Sequence, residues 1–268
     1  MNLKGNTKEF FYENGYFILE NFLSNKEISH YIDKINKIFN LNKKFTSSND
    51  FYGCPDGVTK HNAFWSIIFN KKLILAIEKI LGEKIKYTQH SDIHVNLPAG
   101  SFHRDNAYRN FGEGPDWQEQ NFPYKVVRVA IYLTDFKESG SSLIILPKSN
   151  KNESFINKKE YVFWNYLRHY WRKYFNSNKL DHFFFTRKIK KLKTKPGDCI
   201  IFDQRLIHAG GCVKGNFPKY SIFLSYGVNN EHSLNHHKFY LSRETYLKKL
   251  PSNLKKKLKK ENLLLIDN

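Results

Sequence analysis

The feature that most constrains the fold is a change of hydrophobic period near residue 84. Upstream, apolar residues recur at helical spacing. In "SNKEISHYIDKINKIF", Ile28, Tyr31, Ile32, Ile35, Ile38 and Phe39 fall on one face. Ser24 stands where an N-cap belongs, and Glu27 three residues on completes a capping box. "GYFILENFL" before it reads as a short strand, and a polar loop is expected over about residues 42–61. "AFWSIIFNKKLILAIEKILG" is a second helical segment, ended by Gly82. Downstream the pattern becomes that of strands. "KIKYTQHSDIHVNL" alternates, and "KVVRVAIYLTDF", "CIIFDQRLIHAGG" and "YSIFLSYGVN" are apolar runs of strand length. "SGSSLIILPKS" is expected to pair back on "KVVRVAIYLTDF" across a Gly-Ser turn. Helical spacing returns in "EYVFWNYLRHYWRKYF", whose face of Phe163, Tyr166, Leu167, Tyr170, Trp171 and Tyr174 is expected to pack in the core. The order predicts one α+β domain over residues 1–268, with an antiparallel sheet large enough to curl on itself.

The bulk numbers exclude several classes. With 40% hydrophobic and 16% aromatic residues, the 268-residue chain is too apolar to be disordered. No run approaches the roughly 18 apolar residues of a membrane helix, and "MNLKGNTKEFFYENGYF" lacks the apolar centre of a secretory signal. Cys54, Cys199 and Cys212 are odd in number, widely spaced and without a CxxC pair, which suits a reducing cytoplasm. The net charge of +19 would attract polyanions. Yet the chain is crowded with Lys, Asn, Ile, Phe and Tyr, a mixture that A/T-rich codons produce by themselves. The densest basic run, residues 248–268, reads as a solvated tail helix. Nucleic acid is therefore not the expected partner; a small molecule is. The oligomeric state is open.

The chemistry concentrates in "FHRD". On a strand, His103 and Asp105 share a face and Arg104 points away. An imidazole and a carboxylate on one face are two-thirds of a site for a divalent first-row metal. A second imidazole would complete the 2-His-1-carboxylate set, which leaves open positions on the ion. "KPGDCIIFDQRLIHAGG" offers His208 at the end of an apolar strand; His61, His90 and His94 are rivals. His94 could instead hydrogen-bond inside the sheet, and His236 and His237 sit in a polar segment expected to be solvated. In "PKYSIFLSYG", Lys219 and Ser221 share a strand face. A cation with a hydroxyl is what the distal carboxylate of 2-oxoglutarate requires.

Taken together, these stretches resemble the phytanoyl-CoA dioxygenase family of Fe(II)/2-oxoglutarate oxygenases. "FYENGYFILENFLSNKEI" looks like the family's opening segment, and "FHRD" matches its HxD pair. "RVAIYLTDFKESGSSLIILPKSN" looks like its strand, turn and "PGSH"-type stretch, and "KPGDCIIFDQRLIHAGG" like the segment with the distal histidine. The resemblance implies a mainly β core, a double-stranded β-helix (jelly-roll, cupin-like) with flanking N-terminal and inserted helices. It implies Fe(II) held by His103, Asp105 and His208, with 2-oxoglutarate as cosubstrate and O₂ as oxidant. The retained carboxylate of Asp105 favours hydroxylation over halogenation.

The chain departs from the family pattern at two places. The usual Arg-x-Ser anchor has Lys219 in place of arginine, which gives charge without the bidentate fork, and Arg128 is a candidate to assist. "PKSN" replaces "PGSH", putting Asn150 where a histidine is usual. Asp203 and Arg205 either orient the ligands or form a structural ion pair. The segment "NAYRNFGEGPDWQEQNFPYK" reads as a lid, with Arg104, Arg109 and Trp117 as candidate substrate contacts. The expected activity is hydroxylation of a small anionic metabolite with release of succinate and CO₂. The alternatives are a jelly-roll binding protein without catalysis, or a nucleic-acid demethylase of the same superfamily.

Overall fold

A computed structural model describes residues 7–41, 50–98, 100–108, 113–119, 123–151, 158–175, 189–214 and 217–266. In chain order the elements are α1 (Thr7–Asn14), β1 (Tyr16–Leu19), α2 (Asn25–Ile38), β2 (Tyr52–Pro55), α3 (Gly57–Lys60), α4 (Trp65–Ile68), α5 (Lys71–Leu81), β3 (Ile85–Tyr87) and β4 (Asp92–Val95). They continue with β5 (Val126–Tyr132), α6 (Phe136–Ser139), β6 (Ser142–Ile145), α7 (Lys158–Phe175), β7 (Lys190–Lys193), β8 (Cys199–Asp203), β9 (His208–Gly210), β10 (Tyr220–Val228), α8 (Glu231–Leu241) and α9 (Ser252–Lys260).

Two antiparallel sheets face each other. The larger runs β1-β8-β5-β10-β4-β2, with β3 also on β10; the smaller runs β7-β6-β9. This is the double-stranded β-helix. The strands that read as continuous apolar runs, β5, β8 and β10, are buried along their whole length because both faces are covered. One face meets the helices: Val127, Val129, Ile131, Ile201, Ile222 and Leu224 pack against residues of α2 and α5 in the main core. The other face looks toward the small sheet, where Tyr16, Ala130, Tyr132, Leu143, Ile145 and Phe223 form a second cluster.

Local chemistry explains the helix ends. The Ser24 side chain accepts from the Glu27 amide at 3.4 Å, and Glu27 accepts from the Ser24 amide at 2.8 Å. Gly82 ends α5 at φ +73°, a left-handed position that glycine occupies without Cβ strain.

Several expectations are corrected. The loop predicted over 42–61 contains β2 and α3, although residues 42–49 lie outside the described part. The second helical segment is broken at Phe69–Asn70, where the Asn70 side chain caps α5. The strand predicted through "KIKYTQHSDIHVNL" is split into β3 and β4 around Gln89, at φ +55°. β6 does not pair back on β5. It joins the small sheet between β7 and β9, because α6 and Gly140, at φ +79°, turn the chain out of the large sheet. "CIIFDQRLIHAGG" is likewise two strands, β8 and β9, one in each sheet.

The aromatic face assigned to the core in α7 is mostly outside: Phe163, Tyr166, Tyr170 and Tyr174 are exposed, and Leu167 and Trp171 are half-buried. The helix has aromatics all round, and the inward side is the one with Trp164 and Arg168, whose guanidinium stacks 4.5 Å from the Phe102 ring. The basic tail is not merely solvated. Leu254 and Leu258 of α9, with Leu263, are buried in the main core while the lysines point outward. His236 is fully buried in α8, hydrogen-bonded to His90 at 3.2 Å, and His237 is half-buried against the Thr88 carbonyl at 3.1 Å. Among the described residues, no helix is long and apolar enough to cross a membrane.

The capping box gives a direct test of the N-terminal reading. Ser24→Ala is expected to lower the unfolding free energy by about 1 kcal/mol, read from the denaturant midpoint at unchanged slope.

Candidate metal centre

His103 is not on a regular strand. It forms an isolated bridge with His208, the first residue of β9. Each histidine amide donates to the other's carbonyl, at 2.9 and 3.0 Å. The Gln204 carbonyl then takes both the Asp105 and Asn106 amides, at 2.8 and 3.2 Å, curling the chain away from extended form. The expected common face survives this change: His103, Asp105 and His208 each offer a ligand atom, and these atoms lie within 4.8 Å of one another. His103 Nε2 is 3.6 Å from Asp105 Oδ1, and His208 Nε2 is 3.5 Å from Asp105 Oδ2.

Both rings are oriented in the same way. His103 Nδ1 lies 2.8 Å from the Ser101 carbonyl, and His208 Nδ1 lies 2.9 Å from the Leu206 carbonyl. A carbonyl can only accept, so each Nδ1 carries the proton and each Nε2 presents a lone pair to the centre. That is the tautomer a metal requires. Burial pushes the Asp105 pKa up, but the positive charge that His208 and His103 carry when protonated outweighs it and holds the carboxyl well below the usual carboxylate range; a cation bound to the neutral rings would exert the same pull in their place. Two neutral imidazole nitrogens and one ionised carboxylate oxygen, all preorganised, suit a divalent first-row ion. The site fits Fe(II) by its donor chemistry.

The group sits in a cavity of about 360 Å³ between the two sheets. The large sheet contributes Asp92 and His94 from β4, Arg128 and Tyr132 from β5, and Ser221 and Phe223 from β10. The small sheet contributes Leu143, His208 and Gly210. His90, Leu97, Pro98, Gly100, Lys219, Tyr240 and Arg243 also line it. The His103 side chain is 42% exposed against 5% for His208, so the centre opens to solvent on the His103 side.

Lys219 and Ser221 share the inward row, as their spacing predicts, and both line the cavity. Lys219 is almost fully buried, its ammonium donating to the Gly211 carbonyl at 2.5 Å, and burial lowers its pKa to about 8. Arg128 is in register with Ser225, at the far end of that row from Lys219. Its guanidinium is engaged at the metal end: it donates to Asp92 and to the His90 carbonyl, and Nε lies 3.8 Å from Asp105. Arg128 thus lines the cavity as a partner of carboxylates rather than beside Lys219.

The other candidates fall elsewhere. Arg104 and Trp117 do not line the cavity. Arg104 is buried behind the metal group, donating to the Arg205 and Ser149 carbonyls at 2.7 and 3.1 Å. Trp117 lies between the Arg104 and Arg205 guanidinium groups, 5.0 and 5.4 Å from its ring. The alternation that points His103 and Asp105 inward sends Arg104 the other way. Arg109 lies outside the described residues. Asp203 and Arg205 form a structural pair at 3.0 Å, with Glu119 added, and touch no metal-group side chain. Asn150 is buried beside Asp203, 3.5 Å away, not in the cavity wall. Of the rival histidines, His61 lies 3.8 Å from Cys54, and His90 stacks on Tyr240. His90 and His94 both line the cavity outside the ligand group. The sequence reading missed Tyr240 and Arg243. They come from α8 and the turn after it, beyond any motif, and no pattern in the sequence marks them.

A double-stranded β-helix with two imidazoles and a carboxylate gathered in its cavity defines a non-haem metal-enzyme architecture. The chain belongs to the phytanoyl-CoA dioxygenase family, whose model matches residues 11–220. No curated protein sequence matches it. Among solved structures, HygX from Streptomyces hygroscopicus, with nickel and 2-oxoglutarate bound, is similar with a TM-score of 0.60 at 12% identity, over 85% of this chain and 88% of that one. The non-haem α-ketoglutarate-dependent carbocyclase SnoK from nogalamycin biosynthesis gives 0.59 at 13%, over 85% of both chains. The α-ketoglutarate-dependent epimerase SnoN from the same biosynthesis gives 0.57 at 11%, over 84% of this chain and 82% of that one.

The different settings of the two inner cations are separable by stability. Arg128→Ala strands the Asp92 and Asp105 carboxylates and is expected to cost roughly 3–5 kcal/mol in denaturant unfolding. An unchanged midpoint would show that the guanidinium is not held by those carboxylates.

Proposed function

We propose that the chain is an Fe(II)- and 2-oxoglutarate-dependent dioxygenase of one domain, which hydroxylates a small anionic metabolite and releases succinate and CO₂. The observation that carries this is one cavity with the His103–Asp105–His208 group at one end of the inward β10 row and the buried Lys219 at the other. Its membership of the phytanoyl-CoA dioxygenase family supports the same reading. So do neighbours with nickel, 2-oxoglutarate and hygromycin B bound in HygX, or with iron, α-ketoglutarate and a nogalamycin compound bound in SnoN.

In this reading His103, Asp105 and His208 hold the metal and act as neither acid nor base. When bound, iron and 2-oxoglutarate supply, with O₂, an oxidising power that no side chain has, enough for an unactivated C–H bond. The protein does the rest. Lys219 and Ser221 receive the distal carboxylate of the cosubstrate, and the apolar walls of Leu143 and Phe223 exclude water beside it. Arg128 neutralises Asp92 and steadies Asp105 from behind.

An anionic substrate is supported by Arg243. Its guanidinium lines the cavity, stacked 4.4 Å from the Tyr240 ring and 5.3 Å from Phe239, with no carboxylate partner among the described residues. The three unpaired cysteines suit the cytoplasmic location that we propose.

Anaerobic protein given Fe(II) and 2-oxoglutarate is expected to show a weak visible charge-transfer band, and under O₂ to release succinate. His208→Ala should abolish both while the fold, followed by circular dichroism, is kept. Full activity in that variant would remove the ligand assignment.

The anchor has its own pH signature. The Lys219 pKa is lowered from 10.5 to about 8, so the free site loses its positive charge as pH rises through about 8. The 2-oxoglutarate dissociation constant should be flat below that pH and rise toward about tenfold per unit above it. Lys219→Arg should flatten the rise, since a guanidinium keeps its proton.

A further inference from the structure

The cavity contains a polar group that the reading above does not use. His94 on β4 is the cross-strand partner of Ser221 on β10, and Lys219 stands two residues before Ser221 on the same row. All three line the cavity. His94 Nδ1 and Ser221 Oγ are both shielded from solvent and have no hydrogen-bond partner among the described residues. A buried polar atom left unpaired is costly, and two of them side by side beside a buried ammonium are the profile of a site awaiting an acceptor. Tyr132, in register with Ser221 from the other side, is already committed: its hydroxyl donates to the Ser142 carbonyl at 3.2 Å.

The His94 ring is held in place by shape. It lies between Phe51, with centroids 5.8 Å apart, and Phe223, at 5.4 Å. Opposite it on β2 is Gly53, where a Cβ would stand 3.3 Å from His94 Cδ2 and 2.9 Å from Phe51 Cζ. Glycine at that position leaves room for the ring. Burial, and the Arg128 and Lys219 charges against the opposing pull of Asp92, lower the His94 pKa to about 4. The ring is therefore neutral at ordinary pH, able to donate one N–H without adding a second cation beside Lys219.

We propose that His94 completes, with Lys219 and Ser221, a three-donor seat for the distal carboxylate of 2-oxoglutarate, supplying the directed hydrogen bond that a lysine in place of arginine does not. The proposal rests on the 2-oxoglutarate reading above and deepens it. A guanidinium offers two parallel N–H groups in a fixed plane, whereas an ammonium is a point charge. Here one Lys219 N–H is already spent on Gly211. A second oxygen of the carboxylate then needs donors from elsewhere, and Ser221 Oγ and His94 Nδ1 are buried groups beside Lys219 with no hydrogen-bond partner among the described residues.

The test is calorimetric titration of Ni(II)-loaded protein with 2-oxoglutarate, which reads binding without turnover. Wild-type protein should bind. His94→Phe, which keeps an aromatic ring but removes the donor, should weaken binding by about tenfold or more with Ni(II) affinity unchanged. His94→Asn, which restores a donor near the Nδ1 position, should recover part of the loss. Lys219→Arg placed in the His94→Phe background should recover most of it, because the fork replaces the missing bond. Equal 2-oxoglutarate binding by wild type and both folded His94 variants would overturn the proposal while leaving the cosubstrate reading intact. Failure of the Lys219→Arg rescue would overturn the compensation. Absence of any 2-oxoglutarate binding by metal-loaded wild type would instead refute the cosubstrate reading itself.

Discussion

The pair of amide–carbonyl bonds between His103 and His208 is the constraint on which the site depends. It joins a loop that follows β4 to the first residue of β9 in the opposite sheet. No side chain has to be flexible for the two imidazoles to meet, because the backbones are already bonded to each other. The carbonyls two residues before each histidine, Ser101 and Leu206, then set both rings by the same device. A shift of one residue in this bridge would turn one imidazole away and leave Asp105 with a single imidazole beside it. The Gln204 carbonyl, which takes the Asp105 and Asn106 amides, guards against that slip. The Asp203–Arg205 pair rigidifies the turn from which it projects. The buried charges near the centre therefore hold backbone in register, a role distinct from touching substrate.

Much of the fold was legible where local chemistry decides. The capping box at Ser24, the Gly82 stop and the mainly apolar β5, β8 and β10 follow from propensity and period alone. What was not legible is partner choice. "SLIILP" reads equally well as a strand of either sheet. Only the turn at Gly140, whose Cβ would come within 2.1 Å of the Cys212 carbonyl, commits β6 to the small sheet. In α7 the aromatics are spread round the helix, so periodicity could not tell the buried side from the exposed one. The buried side is marked instead by Arg168, a residue that composition places outside, paired with Asn165 at 2.9 Å and laid over Phe102. The candidate site divides along the same line. Residues close in sequence to a motif were visible, but Tyr240 and Arg243 depend on where a later helix docks. The Arg104 and Trp117 expectation failed because proximity in sequence to the HxD pair was taken for proximity to its cavity.

The charge of +19 has a different meaning outside and inside. Outside, lysines such as those of α9 are solvated while Leu254 and Leu258 between them are buried, so the tail combines a basic surface with an anchored core face. Inside, each cation is accounted for by a specific environment. Arg128 is matched by two carboxylates. Lys219 has only a backbone carbonyl, and the low polarity around it lowers its pKa. A lysine in such a position can relinquish its proton above about pH 8, an option an arginine lacks. An incoming carboxylate is the natural partner that holds the charge in place.

The division of labour within the cavity bears on how one scaffold serves neighbours described as an epimerase and a carbocyclase. The row from Ser221 to Arg128 belongs to strands hydrogen-bonded on both sides and buried throughout, and the metal group is fixed by β9 and the His103–His208 backbone bridge. Their relative positions cannot change without breaking those backbone bonds. The remaining wall is made by Leu97, Pro98 and Gly100, and by Tyr240 and Arg243 of the α8 region, none of which is part of the sheet ladder. A hydrogen bond links the two parts: the Tyr240 hydroxyl donates to the Asp105 carbonyl at 3.1 Å. Tyr240 is also sandwiched between the His90 ring and the Arg243 guanidinium. A change in the α8 region can therefore alter what the cavity admits, and the angle at which it meets Asp105, while the ligand geometry stays fixed by the backbone bridge. The part of the cavity wall that Tyr240 and Arg243 form thus rests on helix docking after β10, and the metal group on β9 and the backbone bridge before it.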